Sequence, residues 1–329
     1  LVEPQWDEAV KQSRLLASEQ RKITRSEAAL SLEITKSHNS DQAVQQAIEE
    51  KLHALVVQRK HVLSGLNKRI LLLEDVVAVQ PNHANAWAEL ATARCEHFGL
   101  ARQLKGEQVT LVDLRQAALS GGFKSRDTFE AWLSANTGDD LNDLHQAYQA
   151  AKRAVVASPF QGEAWCVLAN LAFLETFEPQ LPQRCLAQAL IVRPHSGTVL
   201  FEAARQAELD GDVEQAVAYQ RECFHISSEH RTMILNLLRT KISAPEAMTM
   251  LTPDLAGLRA IDSVWSLQST AEDMRSVREH RLKEVLAAAD EDNLKPLKKF
   301  LTILADPYTE QKNISEFQEL SESRDKYQT

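Results

Sequence analysis

Between Gly197 and His230, small residues fall at fixed places in a stretch of 34 residues, and no other feature of the chain constrains its fold as strongly. Counting Gly197 as position 1 puts Leu200 at 4, Ala203 at 7, Ala204 at 8, Ala207 at 11, Gly211 at 15, Ala216 at 20 and Cys223 at 27. Small side chains at those places let two helices cross closely, because bulk at a crossing point forces the axes apart. Gly211, within Leu209-Asp210-Gly211-Asp212, ends the first helix in the way glycine does at least cost. Asp212 then caps the second.

The neighbouring segments repeat the pattern. Alanines occupy the close-contact places in Ala147-Tyr148-Gln149-Ala150-Ala151-Lys152-Arg153-Ala154, and Ser158-Pro159 stops that helix. Gly162-Glu163-Ala164-Trp165 opens the next, with Trp165 at position 4, and its partner Arg184 to Leu190 is closed by Arg193-Pro194. An earlier copy runs from Gln80-Pro81 to Ala91, with Trp87 again at position 4. The period and the small-residue places resemble the tetratricopeptide repeat. The implied fold is all-α, a helical-repeat solenoid of tetratricopeptide type, with an N-terminal helical hairpin and a C-terminal helical cap.

Composition agrees with helix. The chain of 329 residues has only 10 Gly and 10 Pro, 44% hydrophobic and 25% charged residues, and is rich in strong helix formers. A formal net charge of −9 argues against nucleic acid as a partner, since phosphate binding needs a basic face. No run of 18 apolar residues occurs, so no direct membrane insertion of this segment is expected. The opening Leu1-Val2-Glu3-Pro4 lacks Met and any signal-peptide pattern, which predicts the soluble part of a larger protein. Cys95, Cys166, Cys185 and Cys223 show no C-x-x-C spacing and read as packed thiols, with a disulfide left open.

Four regions follow in order. Residues 1–80 predict a long-helix hairpin: Gln5 to about Lys36 reads as one or two helices. A stripe of Val44, Ile48, Leu52, Leu55, Val62, Leu66, Ile70, Leu73 and Val77 then alternates between spacings of three and four, with Arg59 filling the gap. A dimerising coil is the alternative, and Ser64-Gly65 is a place where the second helix could divide. Residues 81–240 hold the repeats, with an insertion at about 99–140 containing short helices at Leu111–Leu119 and after the cap Ser125. Residues 241–307 predict capping helices: one starting at Ala244-Pro245, another at Thr252-Pro253-Asp254-Leu255, and more around Ile261–Leu267, Ala271–Ala289 and Asn293–Ala305. Residues 308–329 form a polar, partly disordered tail.

Catalytic patterns are missing: no G-x-G-x-x-G, Walker loop, H-E-x-x-H or G-x-S-x-G occurs. His225 and His230, five apart, do not share a helical face as ligands would. The reading is therefore no enzyme, no cofactor and no metal. In the tetratricopeptide family the first helix of each unit lines a concave groove that holds a protein or peptide. Carried onto this sequence, the groove residues are Asn170, Phe173, Phe201, Glu202, Arg205, Asn236 and Arg239, beside Asn85, Glu89, Thr92, Glu163, Val167, Thr198 and Glu208. Some members clamp a terminal carboxylate with Lys and Asn. Here no Lys stands at these positions and several Glu do, so the expected ligand is a segment with apolar anchors and some basic residues.

A second resemblance covers Ala118-Leu119-Ser120-Gly121-Gly122-Phe123, Trp132-Leu133, Ala154 to Pro159, Gln161 to Ala164, and Leu168 to Glu175. It is similar to the C-terminal repeat region of bacterial O-antigen ligase or polymerase-like membrane proteins. That resemblance implies an extracytoplasmic accessory domain, on the periplasmic side, acting in cell-surface polysaccharide assembly. Otherwise the expected location is cytoplasmic. The first expectation is a non-catalytic protein-interaction scaffold; the polysaccharide role is its alternative.

Overall fold

In the N-terminal helix α1 (Glu3–Lys36), Ala9, Leu16, Ile23 and Leu30 are buried at intervals of seven, the spacing that keeps one seam of a helix against a partner. The partner is α2 (Gln42–Val79), which buries Leu55, Val62, Leu66 and Leu73. The two run antiparallel, as their ion pairs show: Lys51 reaches Glu33 at 2.5 Å, Arg59 reaches Glu27 at 2.6 Å and Lys68 reaches Glu8 at 3.5 Å. Arg59, which interrupts the apolar stripe, thus bonds across the hairpin. Exposed pairs of this kind fix register more than they add stability. The helix α2 continues through Ser64-Gly65 rather than dividing there. Gly65 serves close approach: a Cβ at that position would lie 2.6 Å from Leu16 Cδ2.

These observations come from a computed structural model that describes residues 3–36, 42–107, 109–120, 122–175, 178, 180–265, 274–275 and 277–281. Every regular element among them is helical. The chain divides into two units, at Tyr219 and Gln220.

In the first unit the hairpin is followed by α3 (Ala84–Lys105), the insertion helices α4 (Leu111–Leu119) and α5 (Arg126–Thr137), and α6 (Leu141–Ala157). Then come α7 (Gly162–Leu171), extended by a 3-10 turn over Ala172–Leu174, α8 (Gln180–Val192), α9 (Gly197–Leu209) and the start of α10 (Val213–Ile226). The helices α3 and α6 pack side by side although the insertion separates them in sequence. Ala91, Ala93, Ala147, Ala151 and Ala154 are fully buried; with only a methyl each, they let two backbones approach closely.

Three turns join the packed helices in the same way. The amide of His83 donates to the Gln80 carbonyl at 3.0 Å, Gln161 to Ser158 at 3.4 Å and Ser196 to Arg193 at 3.2 Å. In each the second turn residue is proline (Pro81, Pro159, Pro194), whose fixed φ suits that place. In the first two the indole Nε1 four residues beyond the turn folds back: Trp87 donates to the Pro81 carbonyl at 2.7 Å and Trp165 to that of Pro159 at 2.9 Å. Leu200 holds the matching place after the third turn, without a donor. Gly211 takes a φ of 78°, and Asp212 Oδ1 accepts from the amide of Gln215 at 3.0 Å, capping α10.

In the second unit α11 (Ser228–Leu238) and α12 (Ala244–Leu251) pack against α13 (Leu255–Trp265). Ser243 and Glu246 form a capping box at the start of α12, with Pro245 in its first turn. The helix beginning after Pro253 runs to Trp265 without a break, so the segment around Ile261 belongs to it rather than opening a helix of its own. The helices expected at Ala271–Ala289 and Asn293–Ala305 lie wholly or mostly outside the described residues, as does the 308–329 tail.

Candidate protein-binding face

Helix α7 has a short, wholly apolar buried side made of Ala164, Cys166, Val167, Leu168, Ala169 and Leu171. That fixes its rotation and turns Asn170 toward α9 and the insertion. Asn170 Nδ2 donates to Glu202 Oε2 at 2.9 Å, and Arg205 Nη1 donates to Glu202 Oε1 at 3.0 Å. Asn170, Glu202 and Arg205 are therefore one connected polar group. The insertion completes it: Arg115 Nη1, from α4, donates to Asn170 Oδ1 at 3.0 Å.

Arg115 is only 2% exposed. Its Nε and Nη2 are buried without a hydrogen-bond partner among the described residues, as is Gln206 Oε1 on α9. Burial lowers the affinity of the guanidinium for its proton, Arg205 adds to the effect, and Glu202 and Asp210 oppose it. A charged group left short of partners in a dry interior is costly.

The two aromatic residues expected to line a groove, Phe173 and Phe201, are covered. Phe173 is buried, and its ring meets Phe129 of α5 edge-on with centroids 6.2 Å apart. Phe201 is also buried. Arg126, at the start of α5, donates to the carbonyl of Phe173 at 3.2 Å and to that of Leu174. It thereby satisfies carbonyls that the end of a helix leaves open. The insertion thus lies on the side of α7 where an outside ligand was expected, and its own Phe129 takes the place of an apolar anchor against Phe173. Sequence reasoning did not pick out Arg115, Arg126 or Phe129; only the Ser125 cap, present as a capping box with Thr128, was visible.

Other residues expected in a groove also have partners within the chain. Asn85 accepts from Gln161 Nε2 at 2.6 Å, Glu89 pairs with Arg69, and Glu163 accepts from Ser196 Oγ at 3.4 Å. Asn236 and Arg239 belong to the second unit, three residues apart at the end of α11. Both are half-buried, and Arg239 Nε is buried without a partner among the described residues.

Burial pushes the thiol of Cys223 up to about 12 and that of Cys166 well above its usual value, the opposite of what a nucleophile needs. No three of His, Cys, Asp and Glu are placed to hold a metal among the described residues. A cavity of 170 Å³ beside Trp6, Ser13, Arg14, Arg69 and Glu89 is smaller than most ligand sites, and its Arg69 is engaged by Glu89 and Glu96. No helix among the described residues is long and apolar enough to cross a membrane. No protein-family model matches the chain, and no curated protein matches it.

Proposed function

We propose that the chain is a helical-repeat scaffold of tetratricopeptide type that recruits a protein partner and carries out no reaction of its own. The observation behind this reading is the threefold recurrence of one junction: a proline turn, the same backbone hydrogen bond, and a large side chain four residues on. Repetition of a unit that buries its apolar side only against its neighbours is the physical basis of such scaffolds.

The partner meets the face of α7 and α9 beside α4, where Glu202 and Arg205 are charged groups that remain partly accessible. With Phe173 and Phe201 covered, recognition there is polar and depends on charge. The test is affinity capture on the immobilised chain, identification of the retained protein, and titration of that purified protein against wild type and the Glu202→Lys/Arg205→Glu double variant. A loss of roughly tenfold or more in affinity is expected. Equal binding to both chains overturns the assignment of this face.

A further inference from the structure

The three proline turns form an edge of the first unit that differs from the rest of the molecule in two ways. Across the chain acids outnumber bases, 46 Asp and Glu against 37 Lys and Arg. Yet no acid occurs in residues 76–88, 144–162 or 179–201, the three segments that carry the turns and their flanking helix ends. The same edge exposes large apolar side chains: Val79 is 63% exposed, Val156 85%, Phe160 66% and Ile191 73%.

Isolated exposed apolar residues are ordinary, but a run of them in one place is not. Val156 and Ile191 each stand three residues before the turn proline, and Val79 stands two before it. Contacts between the turns make the edge continuous. Arg153 lies over the Trp87 ring at 4.7 Å, and Gln161 Nε2 reaches Asn85 at 2.6 Å, joining the first turn to the second. Arg193 Nε donates to the Phe160 carbonyl at 3.4 Å, joining the second to the third. Arg153 and Arg193 are exposed and form no ion pair among the described residues. The carboxylate of Glu163, one residue beyond the second segment, accepts from Ser196 Oγ at 3.4 Å.

We infer that this edge is a docking surface, separate from the α7–α9 face, for an acidic protein segment that carries apolar anchors. The apolar groups supply the contact area. The two arginines, neither of them ion-paired among the described residues, select a negatively charged partner in an otherwise acidic molecule.

The test uses the whole chain and a fluorescein-labelled peptide that alternates Asp-Glu with Leu-Phe pairs, read by polarisation. Its counterpart with Lys for every acid is the control. Binding with a Kd on the order of 10 μM, weakened by salt and at least about tenfold by Val156→Ser/Phe160→Ser/Ile191→Ser or by Arg193→Glu alone, is the expected result. Thermal melts of each variant identify any that fail to fold, and the two sets of substitutions stand independently. No binding of the acidic peptide, equal binding of the basic one, or affinity unchanged in both variants overturns the inference. So does either competing occupant: phosphatidylglycerol vesicles bound in preference to the peptide, or a dimer in sedimentation that the apolar substitutions dissolve.

Discussion

Arg115 Nη1 and Asn170 Oδ1 lie 3.0 Å apart, linking α4 to α7 across 55 positions of sequence. Arg115 brings a charge into the interior and finds one neutral acceptor there, while its Nε and Nη2 have none. The contact specifies where the insertion sits more than it stabilises it, since a buried cation with unmet donors contributes little net free energy.

Removing the two partners of that bond should therefore have unequal effects. Asn170→Ala leaves the guanidinium with no acceptor and also strips Glu202 of a donor. It is expected to lower unfolding stability by about 2–3 kcal/mol. Arg115→Met removes the charge and fills similar volume, so a change within about 1 kcal/mol of wild type is expected. Urea denaturation of both singles and the double gives the coupling. If Arg115→Met proves the more damaging, the bond is a major stabiliser and this account of it is wrong.

The turn tryptophans separate by their surroundings. Trp87 bonds to Pro81 and also lies beneath Arg153, and it is buried; Trp165 bonds to Pro159 but is partly open to solvent. Trp87→Phe should cost about 1–2 kcal/mol and Trp165→Phe about 0.5 kcal/mol, because water competes for the exposed bond. Thermal unfolding of the two variants side by side would show the order. A larger loss at Trp165 would mean that the turn bonds do not carry the difference.

What the sequence made legible was local or periodic. Gly211 and Asp212 end and cap helices through their own backbone and side-chain chemistry, and the apolar stripe of α2 repeats often enough to be read. The seven-residue spacing of Ala9, Leu16, Ile23 and Leu30 was equally present, yet one small or apolar residue per heptad gives α1 a weak signal. The position of the insertion was not legible at all. Leu114-Arg115 reads as an apolar residue beside a solvated one, and nothing local indicates that α4 carries Arg115 inward to Asn170. Phe173 fell at a groove position by register, but register does not reveal that Phe129 comes from another segment to cover it.

The buried thiols make stability sensitive to alkaline conditions. In the unfolded chain a thiol loses its proton near its ordinary value of 9.0, whereas in the folded protein Cys223 holds it until about 12. Between those values the unfolded state binds fewer protons, so stability falls as pH rises through that window and is fully present below it. Cys166 and Cys185, both shifted upward by burial, add in the same direction. Denaturation midpoints measured from pH 8 to 11 should decline, with a shallower slope in Cys223→Ala. A slope that the substitution leaves unchanged would assign the decline to other groups. Thiol-reactive dye at pH 8 should likewise label the folded chain far more slowly than the denatured one.

Two helical glycines face close neighbours of different kinds, and alanine should distinguish them. At Gly65 the atom in the way is Leu16 Cδ2, the free end of a side chain that can rotate. The helix also gains about 1 kcal/mol when glycine becomes alanine, so Gly65→Ala is expected to be close to neutral. At Gly257 a Cβ would lie 2.6 Å from Phe224 Cε1 and 2.8 Å from Pro253 Cβ. Phe224 is wholly buried and has no free volume to turn into, and the proline ring is fixed by its own backbone. Overpacking of this kind costs about 1–3 kcal/mol, which exceeds the helix gain, so Gly257→Ala should destabilise the protein. Trimming the ring relieves the clash: in the Phe224→Leu background the added methyl should cost much less. A four-member cycle of wild type, the two singles and the double, followed by chemical denaturation, measures that coupling. Strict additivity would show that Phe224 is not what excludes a side chain at position 257.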